Sequence, residues 1–241
     1  MKKLSKNQRI VLVFFVAIVI IGVVFATVFI MKYDNESKAV IRIMPLGDSI
    51  TLGGIPNAPT VGYRQKLFLD LENAGFNIDF VGNQSNGEPN FDSDHEGHSG
   101  WTSNQIKRNV YKWLKLNPAD IVLLHIGTND ISRGQQNVSE VEGILNEIDR
   151  FEADYRKSIL VIVALIILRM DTYARNETTK AFNDQVENMV YQRIEYGDRL
   201  ALVDMENALI YPDDMRDSKH PNAVGYNKMA DVWFKVIVSK I

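Results

Sequence analysis

The sequence predicts an α/β domain whose parallel sheet of five strands is covered by helices on both faces. Strand-like apolar runs alternate with helix-like patterns along the chain, which is typical of consecutive β-α-β units. The run 159–167 is continuously apolar and the run 121–126 is apolar apart from His125, as expected for strands that are buried on both faces. The length of 241 residues suits one such domain with a short extension.

The predicted elements follow one another in a regular order. Short apolar runs bounded by polar or glycine-containing segments predict strands, and apolar residues at three- and four-residue spacing predict helices. The predicted strands cover residues 40–44, 78–81, 121–126, 159–167 and 200–203, and the predicted helices cover residues 62–74, 103–116, 138–155, 178–196 and 223–238. If the strand order is 2-1-3-4-5, it reverses between the first and third strands, where ligands bind in open α/β sheets.

The N-terminal segment predicts a membrane anchor. Residues 1–9 carry four basic side chains, and residues 10–31 carry no charge. An apolar run of this length crosses the roughly 30 Å hydrocarbon core of a bilayer as a helix. It is longer than the apolar region of a secretory signal, so we expect an uncleaved anchor; a cleaved chain would be secreted. The basic flank predicts the N-terminus inside the cell and, after a linker at 32–39, the domain at 40–241 outside.

Composition excludes several classes of function. The chain has no cysteine, which excludes disulfides, a thiolate zinc site and a cysteine nucleophile. Residues 1–32 hold five basic and no acidic residues, so the net charge of −3 for the whole chain becomes −8 for the remainder. An acidic domain without a Lys/Arg cluster is poorly suited to phosphate backbones, so we expect no nucleic-acid partner.

Two unusual turns follow the first and third predicted strands. They read GDSI at residues 47–50 and GTND at residues 127–130. Because the carboxyl ends of parallel strands lie at the same edge of a sheet, we expect these turns to face each other. A turn that only reverses the chain needs no serine behind an aspartate, so Ser49 is a candidate nucleophile. Taken alone, a serine at this position is more often a helix N-cap.

A serine nucleophile needs a base and a third group that orients the base. His125 lies inside a predicted buried strand and is interpreted as a core residue. His220 lies three residues after Asp217, a spacing that lets the carboxylate fix the imidazole tautomer. Taken alone, Asp217 could cap a turn and His220 could be an exposed residue. Together with Ser49, they form a candidate triad.

Acyl transfer also needs donors for the developing oxyanion, each worth roughly 2.7–4 kcal/mol of barrier. The backbone N–H behind Ser49 is one candidate. Gly100, after the second strand, allows close backbone approach, and the side-chain amide of Asn129 is a third candidate. Asn129 could equally be an ordinary turn residue.

These motifs resemble, in order, the four conserved blocks of the SGNH (GDSL-type) hydrolases, over residues 40–239. The matching residues are Gly47-Asp48-Ser49-Ile50, Gly100, Gly127-Thr128-Asn129-Asp130 and Asp217-x-x-His220. The resemblance implies a three-layer flavodoxin-like fold. It also implies Ser49 as nucleophile and first oxyanion donor, with Gly100 and Asn129 as the other donors. His220 would be the base, oriented by Asp217, and no cofactor or metal ion would be needed.

A finer resemblance concerns the segments RIMPLGDSIT, GYRQKL, FVGNQ and DHEGHSGWT. They are similar to the branch that contains acetylxylan esterases and related carbohydrate deacetylases, which implies removal of O-acyl, chiefly O-acetyl, groups from a carbohydrate. A lipid-directed esterase of the lysophospholipase kind and an inactive surface binding module are the alternatives. The chain departs from the family pattern at Ile50, where leucine is usual, and at Lys219, where glycine often precedes the histidine.

Residues around the motifs are assigned supporting roles. Asp48 and Asp130 are expected to fix the two turns by hydrogen bonding, with direct chemistry or substrate contact as the alternative. His98 is expected either to position Gly100 or to contact substrate. Trp101 is expected either to pack under its loop or to stack on a sugar ring, and the same alternatives apply to Tyr63.

The loop at 92–103 offers two further motifs, and neither fits. Ser99 lacks the final glycine of the G-x-S-x-G nucleophile elbow, because Trp101 occupies that position. The spacing of acidic residues imitates a calcium-binding loop, but Ser103 stands where the bidentate glutamate belongs. We therefore expect a solvated polar loop that shapes the pocket, with a metal ion held by its carboxylates and histidines as the alternative. Arg133 is expected to be an ordinary surface residue, with contact to an acidic group of the substrate as the alternative.

Overall fold

The structure, a computed structural model, describes residues 17, 19–25, 39–54, 61–87 and 89–241. It divides into two compact units, Met1–Val40 and Ile41–Ile241. In the first unit, the described residues 17 and 19–25 are helical. No helix in the described part of the chain has the length and apolar character that a membrane span requires. Most of the predicted span at 10–31 lies outside the described residues.

The second unit alternates strands and helices. The described strands are β1 (Ile41–Gly47), β2 (Ile78–Phe80), β3 (Gln84–Ser85), β4 (Asp94–Gly97), β5 (Ile121–His125), β6 (Leu160–Leu165) and β7 (Leu200–Asp204). The described helices are α1 (Ser49–Leu52), α2 (Arg64–Asn73), α3 (Ser103–Leu116), α4 (Thr128–Ser132), α5 (Ser139–Tyr155), α6 (Tyr173–Glu195) and α7 (Ala223–Val238).

The sheet is mainly parallel. Strands β2, β1, β5, β6 and β7 adjoin in that order, and each of these pairings is parallel. This is the predicted order 2-1-3-4-5, so the predicted α/β fold with a parallel sheet is confirmed. The strand order reverses beside β1, between β1 and β5, as expected.

The structure has two short strands in addition to the five strands that the sequence predicts. Strand β4 pairs in parallel with Leu46 and Gly47 of β1, and β3 pairs antiparallel with β4. Because β2 pairs only with residues 41–43, the carboxyl half of β1 still needs hydrogen-bond partners, and β4 supplies them. The prediction of a solvated loop is therefore wrong for this segment, where His95 and Glu96 are completely buried.

Helices cover both faces of the sheet and make three layers. One hydrophobic core joins the sheet to α3, α5 and α6, and the other joins it to α2 and α7. Side chains of β6 alternate between the two cores, since Val161 and Val163 belong to the first and Ile162 and Ala164 to the second. This explains why the sequence of the strand is apolar throughout.

Helix α6 begins earlier than predicted. It starts at Tyr173 rather than at 178, and the Thr172 side chain caps it by accepting a hydrogen bond from Arg175 N at 3.1 Å. The first buried side chain of the helix is Thr179. The first turns therefore show no apolar periodicity, which is why the sequence pattern misses them.

Candidate active site

The side chains of Ser49, His220 and Asp217 meet at the carboxyl edge of the sheet. Ser49 begins α1 directly after β1, and His220 lies shortly before α7. Ser49 Oγ lies 2.9 Å from His220 Nε2, and Nδ1 of the same ring lies 2.9 Å from each carboxylate oxygen of Asp217. Because a carboxylate only accepts hydrogen bonds, Nδ1 carries a proton and Nε2 is left to accept the Ser49 proton. A serine nucleophile requires this arrangement.

The electrostatics of the three groups suit general-base chemistry. Burial lowers the pKa of His220 below its ordinary value, although Asp217 partly opposes this effect. Burial acts to raise the pKa of Asp217, but hydrogen bonds from Lys219 N and from His220 leave that pKa lowered. At neutral pH the imidazole is therefore neutral and the carboxylate is ionised.

The turn that carries His220 forms without the glycine that the family often has. Asp217 Oδ1 accepts hydrogen bonds from the backbone N–H groups of Lys219 and His220, each at 3.0 Å. Arg156 is the one non-glycine residue with a positive φ in the described part of the chain, so Lys219 does not adopt a left-handed conformation. The lysine is therefore accommodated without backbone strain.

Asp48 joins the two turns that the sequence places at neighbouring strand ends. Its Oδ1 accepts a hydrogen bond from Ile50 N at 2.9 Å and so caps α1, while its Oδ2 accepts one from Asn129 Nδ2 at 3.2 Å. The carboxyl group is completely buried, and this burial raises the pKa of Asp48 to about 7. Its contacts are those expected of a residue that fixes the two turns.

Gly47 lets β1 end close against β5. A Cβ atom at this position would lie 2.2 Å from the carbonyl oxygen of His125 and 2.5 Å from Thr51 Oγ1, so no larger residue fits. His125 itself is completely buried, and neither ring nitrogen has a hydrogen-bond partner among the described residues. Burial lowers the pKa of His125 to about 4. It is the core residue that the sequence predicts.

The three predicted oxyanion donors differ in their present bonding. The N–H groups of Ser49 and Gly100 donate to no acceptor within the described residues. Gly100 has a φ of 78°, which glycine adopts readily. Asn129 Nδ2 donates to the carbonyl oxygen of Trp101 at 2.9 Å and to Asp48 Oδ2 at 3.2 Å. Both amide hydrogens of Asn129 therefore have acceptors.

The ring of His98 packs against two indoles and contacts a buried carboxylate. Its centroid lies 4.3 Å from that of Trp101 and 4.6 Å from that of Trp113. Its Nε2 lies 2.8 Å from Glu96 Oε2. Glu96 is completely buried, and its other oxygen accepts two hydrogen bonds from Asn83, each at 2.7 Å. These contacts fix the orientation of the imidazole.

The backbone of His98 ties the Gly100 loop to the nucleophile turn. His98 N donates to the carbonyl oxygen of Gly47 at 2.9 Å, and Trp101 N donates to the carbonyl oxygen of His98 at 3.1 Å. Gly100 lies inside the turn that the second bond closes. Of the two expected roles for His98, these contacts favour the positioning of Gly100.

The two aromatic residues considered as sugar platforms both pack against other side chains, Tyr63 completely and Trp101 in part. Trp101 is partly buried against the first hydrophobic core and against the His98 ring. Tyr63 is completely buried and packs against Trp233 with ring centroids 5.8 Å apart. Its hydroxyl oxygen lies 3.2 Å from Thr51 Oγ1. Stacking of Tyr63 on a sugar ring is therefore a wrong alternative.

Asp130 and Arg133 connect the GTND turn to its surroundings. Both carboxylate oxygens of Asp130 accept a hydrogen bond from Ser103 N at 3.1 Å, and burial raises the pKa of this carboxyl group. Arg133 is exposed, but its Nη2 donates to the carbonyl oxygen of Gly100 at 2.9 Å. Arg133 is thus more than an ordinary surface residue, because it links the helix after Asn129 to the Gly100 loop.

Two buried arginines support the site, and no sequence pattern indicates that either is buried. Arg64 is completely buried and donates to the carbonyl oxygens of Thr51 and Leu52, behind the nucleophile, at 2.9 and 3.0 Å. Arg169 donates to the carbonyl oxygen of Thr128 at 3.0 Å and pairs with Asp171. Both anchor turns that carry site residues.

The acidic loop at 92–103 holds no metal-like arrangement. Asp92 uses its oxygens to accept hydrogen bonds from Phe80 N at 2.8 Å and Asp94 N at 3.3 Å. Among the described residues, no group of three or more His, Asp or Glu side chains is arranged to hold a metal ion.

Fold and site together are those of a carboxylic ester hydrolase with a serine, histidine and aspartate in contact. The family model of the GDSL-like lipase/acylhydrolase family matches residues 46–228. The chain belongs to this family.

Individual proteins that resemble this chain are also esterases. A multidomain esterase of Ruminococcus flavefaciens is 28% identical over 84% of this chain, which spans only 29% of that protein. A family 3 carbohydrate esterase of Clostridium thermocellum is 32% identical with a TM-score of 0.72, over 83% of this chain and 96% of that one. An acetyl esterase mutant solved with an acetate ion is 29% identical with a TM-score of 0.69, over 83% and 97% of the two chains.

Proposed function

We propose that this chain hydrolyses O-acetyl esters on a carbohydrate through an acyl-enzyme on Ser49. The observation that carries the proposal is the 2.9 Å contact between Ser49 Oγ and His220 Nε2, with Asp217 bonded to the far side of the ring. The acetyl group and the carbohydrate are supported by the similarity to a family 3 carbohydrate esterase and to an acetyl esterase.

The first half of the reaction forms the acetyl-enzyme. Ser49 Oγ attacks the ester carbonyl carbon while His220 Nε2 takes the hydroxyl proton, and Asp217 stabilises the imidazolium that results. The carbonyl oxygen becomes an oxyanion, which the N–H groups of Ser49 and Gly100 and the amide of Asn129 would receive. Collapse of this intermediate breaks the bond to the sugar oxygen, which leaves with the proton from Nε2.

The second half of the reaction restores the serine. His220 Nε2 takes a proton from a water molecule, whose oxygen attacks the acetyl carbonyl carbon. The new tetrahedral intermediate uses the same donors, and its collapse returns the proton to Ser49 Oγ and releases acetate. No step requires a group beyond those of this chain and water.

The test compares three classes of ester with the full-length chain. Acetate release from acetylated xylan, turnover of p-nitrophenyl acetate and fatty-acid release from a lysophospholipid should be measured side by side. Ser49→Ala should abolish turnover, whereas Ser99→Ala, an exposed serine in the Gly100 loop, is the matched control and should not. Preference for the lysophospholipid, or full activity in Ser49→Ala, would contradict the proposal.

We also propose that residues 10–31 anchor the chain in the cell membrane, with the N-terminus inside and the esterase domain outside. The uncharged run and its basic flank support this topology. In the described part of the run, residues 19–25 are helical and their large apolar side chains are exposed. Protease added to intact cells should digest the domain, and the chain should sediment with membranes. A domain protected from the protease would contradict the orientation.

A further inference from the structure

A groove of about 590 Å³ lies against the end of the GTND turn and the segment that follows it. It is lined in part by Asp130, which follows Asn129 in the chain, and by Arg133, whose guanidinium group contacts Gly100. Two residues of the lining are therefore bonded to predicted oxyanion donors, Asp130 through the chain to Asn129 and Arg133 by a hydrogen bond to Gly100. Its volume lies within the roughly 300–1,000 Å³ of typical small-ligand sites.

Primary amides dominate the lining of the groove. They belong to Asn104, Gln105, Gln135, Gln136 and Asn137. A primary amide has two donor hydrogens and an acceptor oxygen, so it can bond a hydroxyl group in either direction. None of the described residues that line the groove has an aliphatic or aromatic side chain. An acyl chain would meet no aliphatic or aromatic side chain here, whereas a molecule rich in hydroxyl groups would be well matched.

The charges of the groove disfavour an ionic occupant. Glu140 Oε2 lies 2.7 Å from Lys107 Nζ and accepts a hydrogen bond from Asn104 Nδ2 at 2.9 Å. Asp130 accepts the Ser103 N–H with both oxygens. The lining thus carries two carboxylates and a single guanidinium group, that of Arg133, and the excess of negative charge repels an anion. A cation is not favoured either, because both carboxylates already have donors within the protein.

Two of the amides are available for a ligand. The side chains of Gln135 and Gln136 are exposed and make no hydrogen bond with any described residue. Gln135 is nevertheless fixed through its backbone, because its N–H donates to the carbonyl oxygen of Asp130 at 2.8 Å. By contrast, Gln105 Oε1 accepts from Thr102 N at 3.0 Å, and Asn137 Oδ1 accepts from Ser139 N at 2.9 Å.

We propose that this groove binds neutral sugar residues adjacent to the acetylated one, so that the preferred substrate is an acetylated oligosaccharide rather than a single acetylated sugar. The proposal rests on the proposed function, because it takes the acetylated sugar to lie at Ser49. Gln135 and Gln136 provide the amides that bond the sugar hydroxyl groups.

A kinetic comparison tests the groove directly. The quantity to measure is the ratio of kcat/KM on an acetylated xylotetraose to kcat/KM on p-nitrophenyl acetate, in the full-length chain. Gln135→Ala combined with Gln136→Ala should lower this ratio roughly tenfold, the effect of losing about two hydrogen bonds between neutral groups. Gln185→Ala combined with Gln192→Ala, two exposed residues of α6, is the matched control. A groove variant with the wild-type ratio would overturn the proposal.

A binding measurement separates this proposal from the esterase itself. Xylotetraose without acetyl groups should be titrated calorimetrically into the full-length chain carrying Ser49→Ala, with and without the two groove substitutions. Binding that the groove substitutions weaken supports the proposal, and binding that they leave unchanged, or no binding at all, overturns it. Failure of the wild-type chain to release acetate from any acetylated sugar would instead refute the proposed function.

Discussion

Asn129 Nδ2 lies 3.2 Å from Asp48 Oδ2, so the amide that is predicted to bind the oxyanion contacts the same carboxyl group that caps the nucleophile helix. The protonation of this buried group therefore bears on both parts of the site. An ionised Asp48 holds the amide more strongly and competes with the oxyanion for it, whereas a protonated Asp48 holds it less strongly.

Asp48 should make the stability of the fold depend on pH. Its pKa is raised by burial from 3.8 to about 7, so the stability that the proton contributes is fully present below pH 3.8 and is lost as the pH rises through about 7. Asp48→Asn has no proton to lose, although its amide would face the amide of Asn129. As the pH rises through this range, the free energy of unfolding of Asp48→Asn should therefore increase relative to that of wild type, by up to roughly 4 kcal/mol. Denaturant unfolding at several pH values measures the difference, and a constant difference would refute the idea.

Asn129→Ala should lower kcat on p-nitrophenyl acetate by roughly 10²–10³-fold while KM changes little, because an oxyanion donor acts mainly in the transition state. Asn207→Ala is the matched control, since Asn207 is exposed and its side chain hydrogen-bonds only to Asp204 among the described residues. Steady-state kinetics of both variants provide the test. An effect of Asn129→Ala confined to KM would argue against its predicted role.

The pH dependence of activity should report the neutral form of His220. Because burial lowers the pKa of His220, kcat/KM should rise with pH to a plateau with a midpoint below 6.5. Asp217→Asn removes the partner that raises this pKa, so the midpoint should fall further and kcat should drop by up to about 10⁴-fold. Repeating the profile in Asp48→Asn excludes a contribution from that group. A midpoint above 6.5 would be inconsistent with the described burial of the ring.

Arg64→Lys should destabilise the fold by roughly 3 kcal/mol or more. The lysine cannot reach all the carbonyl oxygens that the guanidinium group contacts, and each buried acceptor left without a donor costs about 1–3 kcal/mol. Arg42→Lys is the matched control, because Arg42 forms an exposed pair with Asp79 that is worth at most about 1 kcal/mol. Chemical denaturation compares the two, and equal losses would show that Arg64 anchors nothing.

Local patterns made much of the fold and of the site predictable. Apolar runs that alternate with helical patterns identified the five parallel strands. The motif residues lie directly after strand ends or before the last helix, and the order of these elements along the chain predicts that they meet. The contact between Ser49 and His220 depends on that topology. The roles of these residues stay predictions until they are tested by experiment.

Long-range burial of polar groups was not predictable in the same way. Arg64, Glu96 and Arg169 are charged residues, which sequence reasoning assigns to the surface, yet each is buried because neighbouring turns present matching partners. Strand β4 was likewise not predicted, because its polar sequence shows no alternation of apolar residues. It forms only because β1 extends beyond its pairing with β2 and needs another partner there. The predicted anchor at 10–31 lies mostly outside the described residues and remains a proposal.

The central claim is that Ser49 carries the acetyl group during turnover. Rapid acid quenching of the full-length chain with p-nitrophenyl acetate, followed by peptide mass spectrometry, locates any acetyl group on the chain. We expect the acetyl group on Ser49 in the wild-type chain and no such adduct in Ser49→Ala. An acetyl group that maps consistently to a different residue, with hydrolysis unimpaired in Ser49→Ala, would contradict the account.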